Sequence, residues 1–401
     1  MYDLAVVGGG PAGLAAARVV AAAGGRVVVV DENHEVGGKL RGQLHEEPGG
    51  RWWKGWEQAQ QAGRAAADAG AELMTDTVVW ALEPGWTVRL ARPTDRSAEP
   101  RALKARSVLV ATGASEVPMP VDGWTLPGVM TIGAAQVLTN IHRVKPGRRV
   151  LVVGFDVLSL TIARAMTLAG VDVVGIVLPP PSIAGSSTYD TLTRLAPMGR
   201  LAPAAYMRWG GWLLRNRHAR RAVARSLPQT LRMWGIPMHL RTALVAIRGD
   251  EAVHDAVIAP TRADGSPVPD RARTVEVDAI CLANGLSPLH ELLAPLGGSF
   301  FTTPDLGGSV PLHSDDLRTE HPRLYVAGNA IGVEGAKIAA LQGQLAGLRA
   351  TADLGLETVT REAISAAVAA VATGRRDMEF QFNADVQRGH DAVQRAWEAR
   401  R

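Results

Sequence analysis

Gly8, Gly10 and Gly13 lie within the run Gly8-Gly9-Gly10-Pro11-Ala12-Gly13, between an apolar stretch (residues 4–7) and an alanine-rich one (residues 14–23). The types and spacing are those of a pyrophosphate-binding turn. Gly8 makes the tight passage from strand to helix, Gly10 leaves room for a phosphate against the backbone, and Gly13 lets the helix lie close to the sheet. The helix start offers unpaired N–H groups and a positive dipole end to the phosphates. A second apolar stretch, residues 26–30, ends on Asp31 and Glu32, carboxylates placed to accept hydrogen bonds from a ribose diol. Strand, glycine turn, helix, strand and acid in this order predict a site for a dinucleotide, either FAD or NAD.

Three further segments choose between the two. Gly38 and Lys39 follow in Val36-Gly37-Gly38-Lys39-Leu40-Arg41, and residues 107–110 run as a strand into Ala111-Thr112-Gly113-Ala114. A last strand leads through Ala327 into Gly328 and Asn329, and a helix is expected over residues 335–348. A turn of the Ala-Thr-Gly type and a closing strand–turn–helix unit suit a flavin, whose ribityl chain and pyrimidine edge need backbone contacts and a helix start nearby.

A second strand–helix–strand unit is expected over residues 149–153, 158–168 and 171–177. Its turn reads Gly154-Phe155-Asp156-Val157-Leu158-Ser159, and only the first glycine remains. Asp156 stands where a pyrophosphate would approach, and two like charges about 5 Å apart at an effective dielectric near 20 cost about 3 kcal/mol. The strand then ends Val177-Leu178-Pro179, with neither an acid for a 2′-hydroxyl nor an arginine for a 2′-phosphate. The expectation is a fold retained without conventional NAD(P)H binding.

These residues resemble the two-dinucleotide-binding-domain flavoproteins, and more narrowly the FAD-containing subunits of opine oxidase, hydrogen cyanide synthase and proline or hydroxyproline dehydrogenase complexes. The likeness is carried by Ala111-Thr112-Gly113-Ala114-Ser115-Glu116, Gly123-Trp124-Thr125-Leu126-Pro127-Gly128-Val129-Met130 and Gly133-Ala134-Ala135-Gln136. It continues through Gly285-Leu286-Ser287-Pro288, Gly335-Ala336 and Gly343-Gln344-Leu345-Ala346-Gly347. The resemblance implies FAD as cofactor, with Gly8, Gly10, Pro11, Ala12, Gly13 and Asp31 or Glu32 on its ADP half. Gly38 and Lys39 would lie along the pyrophosphate or flavin edge, Ala111, Thr112 and Gly113 at the middle turn, and Gly328 and Asn329 at the ribityl chain. The family usually has Asp where this chain has Asn329. The implied partners are a small-molecule substrate, a second flavoprotein subunit, and with it a small iron–sulfur subunit.

The elements that must position these residues make an α/β fold of two Rossmann-like dinucleotide-binding domains, the second inserted in the first, as in glutathione reductase. The expected boundaries are 1–121 with 277–355 for the FAD domain, 122–276 for the inserted domain, and 356–401 for a C-terminal helical segment. A length of 401 residues with 47% hydrophobic and 20% charged residues supports this many layers and leaves no disordered charged block. The net charge of +4 is modest, and the arginine- and tryptophan-bearing stretch 194–241 reads as a solvated helix packed on its aromatic face, not as a nucleic-acid stripe. Cys281 is the single cysteine, so this chain builds no disulfide, Cys-x-x-Cys pair or iron–sulfur centre. It is expected to be a buried packing residue. No membrane span or leader is read from the sequence, and the expected location is cytoplasmic.

No catalytic acid or base stands out. His45, beside Gln43 and the pair Trp52–Trp53, is the best loop candidate, though a surface histidine beside a lid explains it as well; His142 and His290 read as structural. Three readings remain: an FAD-dependent dehydrogenase subunit of amine or imino-acid type, a stand-alone flavin enzyme, and a non-catalytic nucleotide-holding subunit.

Overall fold

The computed structural model describes residues 1–47, 50–92, 101–183, 187–195, 216–226, 228, 230–262, 265–378, 383 and 385–400. Along the chain, β1 (Tyr2–Val7) leads into α1 (Pro11–Ala22), β2 (Val27–Val30) and later β3 (Arg101–Val110). β4 (Arg149–Val153), α2 (Val157–Leu168) and β5 (Asp172–Leu178) follow. The last elements used below are β6 (Ala279–Leu282), β7 (Leu324–Val326), α3 (Ala336–Leu354), α4 (Arg361–Asp377) and α5 (Val386–Glu398).

The chain divides into two compact units. The first comprises Met1–Arg41, Gly55–Ser115 and Leu286–Arg401, and its sheet runs in the order Glu72–Met74, β2, β1, β3, Thr87–Ala91, Val78–Glu83. β1 pairs in parallel with both β2 and β3, with Leu4 opposite Val27 and Ser107. β3 is long enough to serve two partners on its other edge. Its beginning pairs antiparallel with Thr87–Ala91, and its end pairs in parallel with β7. The four valines of β2 are all buried, as a parallel strand covered on both faces requires. α1 and α3 cross so closely that a Cβ on Gly343 would lie 2.1 Å from Ala12 O, which excludes any larger residue there.

The second unit, Gly42–Lys54 with Glu116–Gly285, holds a sheet ordered Val129–Thr131, β6, β4, β5, Ile236–Gly249, Val253–Pro260, Arg273–Glu276. β6 pairs in parallel with β4, Leu282 opposite Val153, and this corrects the expected return to the first domain at residue 277. An apolar run of this kind suits a central strand of either sheet, and only the long-range pairing decides. The hairpin Leu44–Glu46 with Trp52–Lys54 also belongs to the second unit, and the C-terminal helices belong to the first. The residues expected at 356–401 are therefore an integral layer of the first unit.

Within the arginine-rich stretch, residues 196–215, including Arg208, Trp209, Trp212 and Arg215, lie outside the described residues. Beyond them Arg217–Ser226 is a helix, with Arg220 over Tyr189 at 5.5 Å, and Trp234 receives the Arg164 guanidinium at 4.7 Å. Among the described residues no helix is long and apolar enough to cross a membrane, and no group of three or more His, Cys, Asp and Glu is set to hold a metal ion.

Candidate functional site

The first turn is held by two backbone bonds: Gly8 N donates to Val30 O at 2.9 Å, and Ala111 N donates to Val7 O at 2.8 Å. Gly8 has φ of +101°, and a Cβ on it would lie 2.4 Å from Ala111 O. A Cβ on Gly13 would lie 2.0 Å from Gly8 O, and one on Gly9 would lie 2.9 Å from the Val36 side chain. The packing of the chain on itself therefore demands three of these glycines. Gly10 is different. It caps α1 in an extended conformation without a side-chain hydrogen bond, and a Cβ there would meet nothing within 4 Å. The packing of the chain on itself does not require a glycine there.

The rest of the predicted set gathers around this opening. α1 begins with Pro11 at its first position, where the missing N–H costs nothing, and its first turn carries no acid. Gly37 N donates to Gly9 O at 2.6 Å, and a Cβ on Gly38 would stand 3.3 Å from the Gly10 Cα. Lys39 Nζ donates to Ala114 O, tying the Gly38 loop to the end of the middle turn. In that turn Thr112 Oγ1 donates to Leu289 O at 2.7 Å, and Leu289 N donates to Gly113 O at 3.0 Å. A Cβ on Gly328 would stand 3.0 Å from the Ala12 Cβ, so the closing turn meets the start of α1. α3 has no side-chain cap and no acid in its first turn, a second helix start left open to negative charge.

Asp31 has partners within the chain. Its Oδ2 accepts from Gly9 N at 2.6 Å and its Oδ1 accepts from Asn33 N and Nδ2, each at 2.9 Å, and the residue is buried. It braces the glycine turn, and the neighbouring Glu32 is the exposed carboxylate. Asn329 Oδ1 accepts from Glu334 N at 3.2 Å and Gly335 N at 3.3 Å, so its amide presents a donor edge where an Asp would present only acceptors.

The histidines divide as follows. His290 Nδ1 donates to Pro288 O at 3.1 Å beside Phe300, the structural role expected of it. His142 is exposed just past the π-helical turn Val137–Ile141. His45 stacks on Trp53 in the hairpin of the second unit, with ring centroids 6.0 Å apart. Cys281 is fully buried, as expected, and burial pushes its thiol up to about 12.

Sequence reasoning missed a buried polar cluster behind the Gly328 turn. Gly328 N donates to Gln342 Oε1 at 2.8 Å, and Gln342 Nε2 donates to Glu334 Oε2 at 2.8 Å. Arg375 of α4 grips Glu334 with Nε at 2.5 Å and Nη2 at 3.0 Å, and His390 Nε2 of α5 donates to Oε2 at 3.0 Å. Glu334 is 3% exposed, Gln342 1% and His390 4%. Burial alone would raise the Glu334 carboxyl, but the hydrogen bonds and charges of His390 and Arg375 outweigh it and hold it at about 2. Burial lowers His390, offset only in part by the carboxylate it donates to. Beside it, burial lowers His313 to about 4 while its Nδ1 donates to Pro311 O at 2.7 Å. One signal points here: Glu334 is the single charge in the run Ala330-Ile331-Gly332-Val333-Glu334-Gly335, and a charge so placed needs a partner.

The second turn repeats the backbone of the first. Gly154 N donates to Val177 O at 2.9 Å, and Ala283 N donates to Val153 O at 2.7 Å. Gly154 has φ of +108°, and a Cβ on it would lie 2.1 Å from Ala283 O. At the position of Gly10, however, Asp156 caps α2. Its Oδ1 accepts from Ser159 N at 2.6 Å, while Ser159 Oγ accepts from Asp156 N at 2.8 Å. This reciprocal cap satisfies the helix start from within and sets a carboxylate where a phosphate would come. Val177, Leu178 and Pro179 at the end of β5 are buried and apolar.

Two doubly wound units, one with an open glycine turn and two uncapped helix starts, define an oxidoreductase of the flavoprotein class. The model of the pyridine nucleotide-disulphide oxidoreductase family matches residues 2–374, and the chain belongs to that family. It is 30% identical over 367 residues to the opine oxidase A-subunit of Agrobacterium tumefaciens (strain Ach5), covering 88% of this chain and 66% of that one. It is 27% identical over 350 residues to hydrogen cyanide synthase subunit HcnB of Pseudomonas aeruginosa, covering 86% and 69%. The crystal structure of L-proline dehydrogenase from P. horikoshii superposes with a TM-score of 0.63 at 17% identity, over 94% of this chain and 58% of that one. The chain thus spans about two-thirds of the length of these curated relatives. It is an FAD-dependent oxidoreductase, and the open side of Gly10 and the uncapped starts of α1 and α3 fit that cofactor.

Proposed function

We propose that this chain is the FAD-holding subunit of a dehydrogenase complex acting on an amine or imino acid. The open space at Gly10 carries the cofactor part of the reading, because packing within the chain accounts for every other glycine of that turn. Gly8 and Gly13 would set the turn, and the N–H groups of Gly10 and Ala12, with Pro11 fixing the first helical position between them, would bring the α1 dipole to the pyrophosphate. Glu32, with Asp31 bracing the turn behind it, would meet the adenosine ribose. Gly38 and Lys39 would flank the pyrophosphate, Ala111, Thr112 and Gly113 would line the middle of the cofactor, and Gly328 with the Asn329 amide would receive the ribityl chain. Bound FAD would supply a two-electron acceptor. The open N-terminus of α3 would stabilise negative charge there.

Two things support a place in a complex. The relatives in opine oxidase and hydrogen cyanide synthase are named as subunits. The second turn is closed from within by Asp156 and Ser159, so electrons would leave through a protein partner and not through NAD(P). With one buried cysteine, this chain offers no iron–sulfur ligands of its own, and the partners would be a second flavoprotein subunit, together with a small iron–sulfur subunit. Native mass spectrometry of the protein purified from its own cell, with bound nucleotides released and identified, tests this. One FAD per chain and a co-purifying flavoprotein are the expected result. An isolated chain that turns over amines alone, or a preparation that neither holds nor takes up FAD, would overturn it.

A further inference from the structure

Glu334 does more than fill a buried position. A carboxylate only accepts hydrogen bonds, so Gln342 must turn its NH2 toward Glu334 and its carbonyl oxygen toward Gly328 N. Flipping that amide would set oxygen against oxygen and N–H against N–H. The charge on Glu334 thereby fixes the direction of a bond on a different residue, at the first amide of the turn after β7. The donors that keep Glu334 ionised in a dry environment come from α4 and α5, through Arg375 and His390. Well-packed apolar side chains would fill the same volume at less cost in desolvation, and the best-attested use of a buried ion pair is to fix one arrangement among several. The arrangement fixed here is that of Gly328 and Asn329, whose side-chain oxygen accepts the amides of Glu334 and Gly335.

We propose that Glu334 is a positioning residue for FAD. With Gln342, Arg375 and His390 it holds the Gly328–Asn329 turn in the conformation that receives the flavin, and α4 and α5 are thereby part of the cofactor site. The proposal rests on the reading of the chain as FAD-binding.

The test combines FAD titration followed by flavin fluorescence with amide hydrogen exchange of the apoprotein read at Gly328. Glu334→Gln and His390→Leu should each weaken FAD binding at least tenfold and speed Gly328 exchange at least tenfold. His390→Gln keeps a donor to Glu334 and should stay within threefold of the parent in both readouts. It also decides the matter, together with His390→Leu, if Glu334→Gln fails to fold. Affinity and Gly328 exchange within twofold of the parent in Glu334→Gln and His390→Leu would overturn the proposal. So would faster exchange at Gly328 with unchanged affinity, or faster exchange throughout β1 and α1, because either reduces the cluster to general packing. A parent protein that binds no FAD would defeat the functional reading instead, and Gly328 exchange in the apoprotein would still judge the clamp.

Discussion

The turns after β1 and after β4 share a backbone and differ in what stands at the helix start. In each, a left-handed glycine donates its amide to the end of the neighbouring strand and packs its missing side chain against a carbonyl, Ala111 O in one and Ala283 O in the other. In the first, Gly10 leaves the start of α1 unfilled; in the second, Asp156 and Ser159 fill the start of α2 with the chain's own groups. The comparison teaches that the first glycine belongs to the fold, whereas the packing of the chain leaves the third position free to differ. A match to the whole motif weights these two kinds of glycine equally, although they answer to different forces.

Exchanging the third position breaks the comparison most sharply. Gly10→Asp sets a carboxylate about 5 Å from the expected phosphate, a cost of about 3 kcal/mol for one charge pair at an effective dielectric near 20. FAD affinity should fall at least about 100-fold by fluorescence titration. The folded apoprotein should lose no stability and should gain about 0.5 kcal/mol from the new cap. Undiminished flavin binding in this variant would show that the phosphate lies elsewhere. The corresponding redox test uses the unaltered protein. Dithionite should bleach the bound flavin anaerobically while millimolar-scale NADH and NADPH leave it oxidised, and rapid bleaching by either would mean the closed turn opens.

Changing the first glycine should give equal losses in both turns. Gly8→Ala and Gly154→Ala each force a side chain into left-handed backbone and against a carbonyl, and each should cost about 1–3 kcal/mol or more in urea unfolding. A large difference between them would mean that ligand binding and not packing holds Gly8. Asp156→Ala should cost about 1 kcal/mol through loss of the cap, without any gain of reduction by NADH. Smallest of all, Cys281→Ala should cost no more than about 1 kcal/mol and leave the rate of flavin reduction unchanged. A large kinetic loss there would contradict a thiol that burial holds protonated.

The local chemistry of both turns is legible in the sequence because it follows from residue type at fixed spacing. The single charge at Asp156 marks the closed turn, although its reciprocal bond with Ser159 appears only in the structure. Pairing over long distance is not legible. Residues 277–282 read as part of the first domain, yet β6 hydrogen-bonds to β4, and nothing in an apolar run names its neighbour. The inward turn of Asp31 depends on where Gly9 N ends up, and the junction of Glu334 with Arg375 and His390 spans 41 and 56 residues. Each of these is a contact whose two halves look unremarked when read separately.

The reciprocal cap on α2 also bears on the routes by which such a chain can change. Reopening that turn needs Asp156→Gly, which gives up the cap, and a smaller residue for Ser159, whose replacement by Gly inside a helix costs about 1 kcal/mol. It also needs a new acid beyond Leu178, a position that yields no advantage until the other two have changed. Each step alone lowers stability or leaves function where it was, and only the combination would restore a nucleotide site. The cap therefore couples the three positions: no single substitution among them both opens the turn and keeps the stability that the reciprocal Asp156–Ser159 bonds supply.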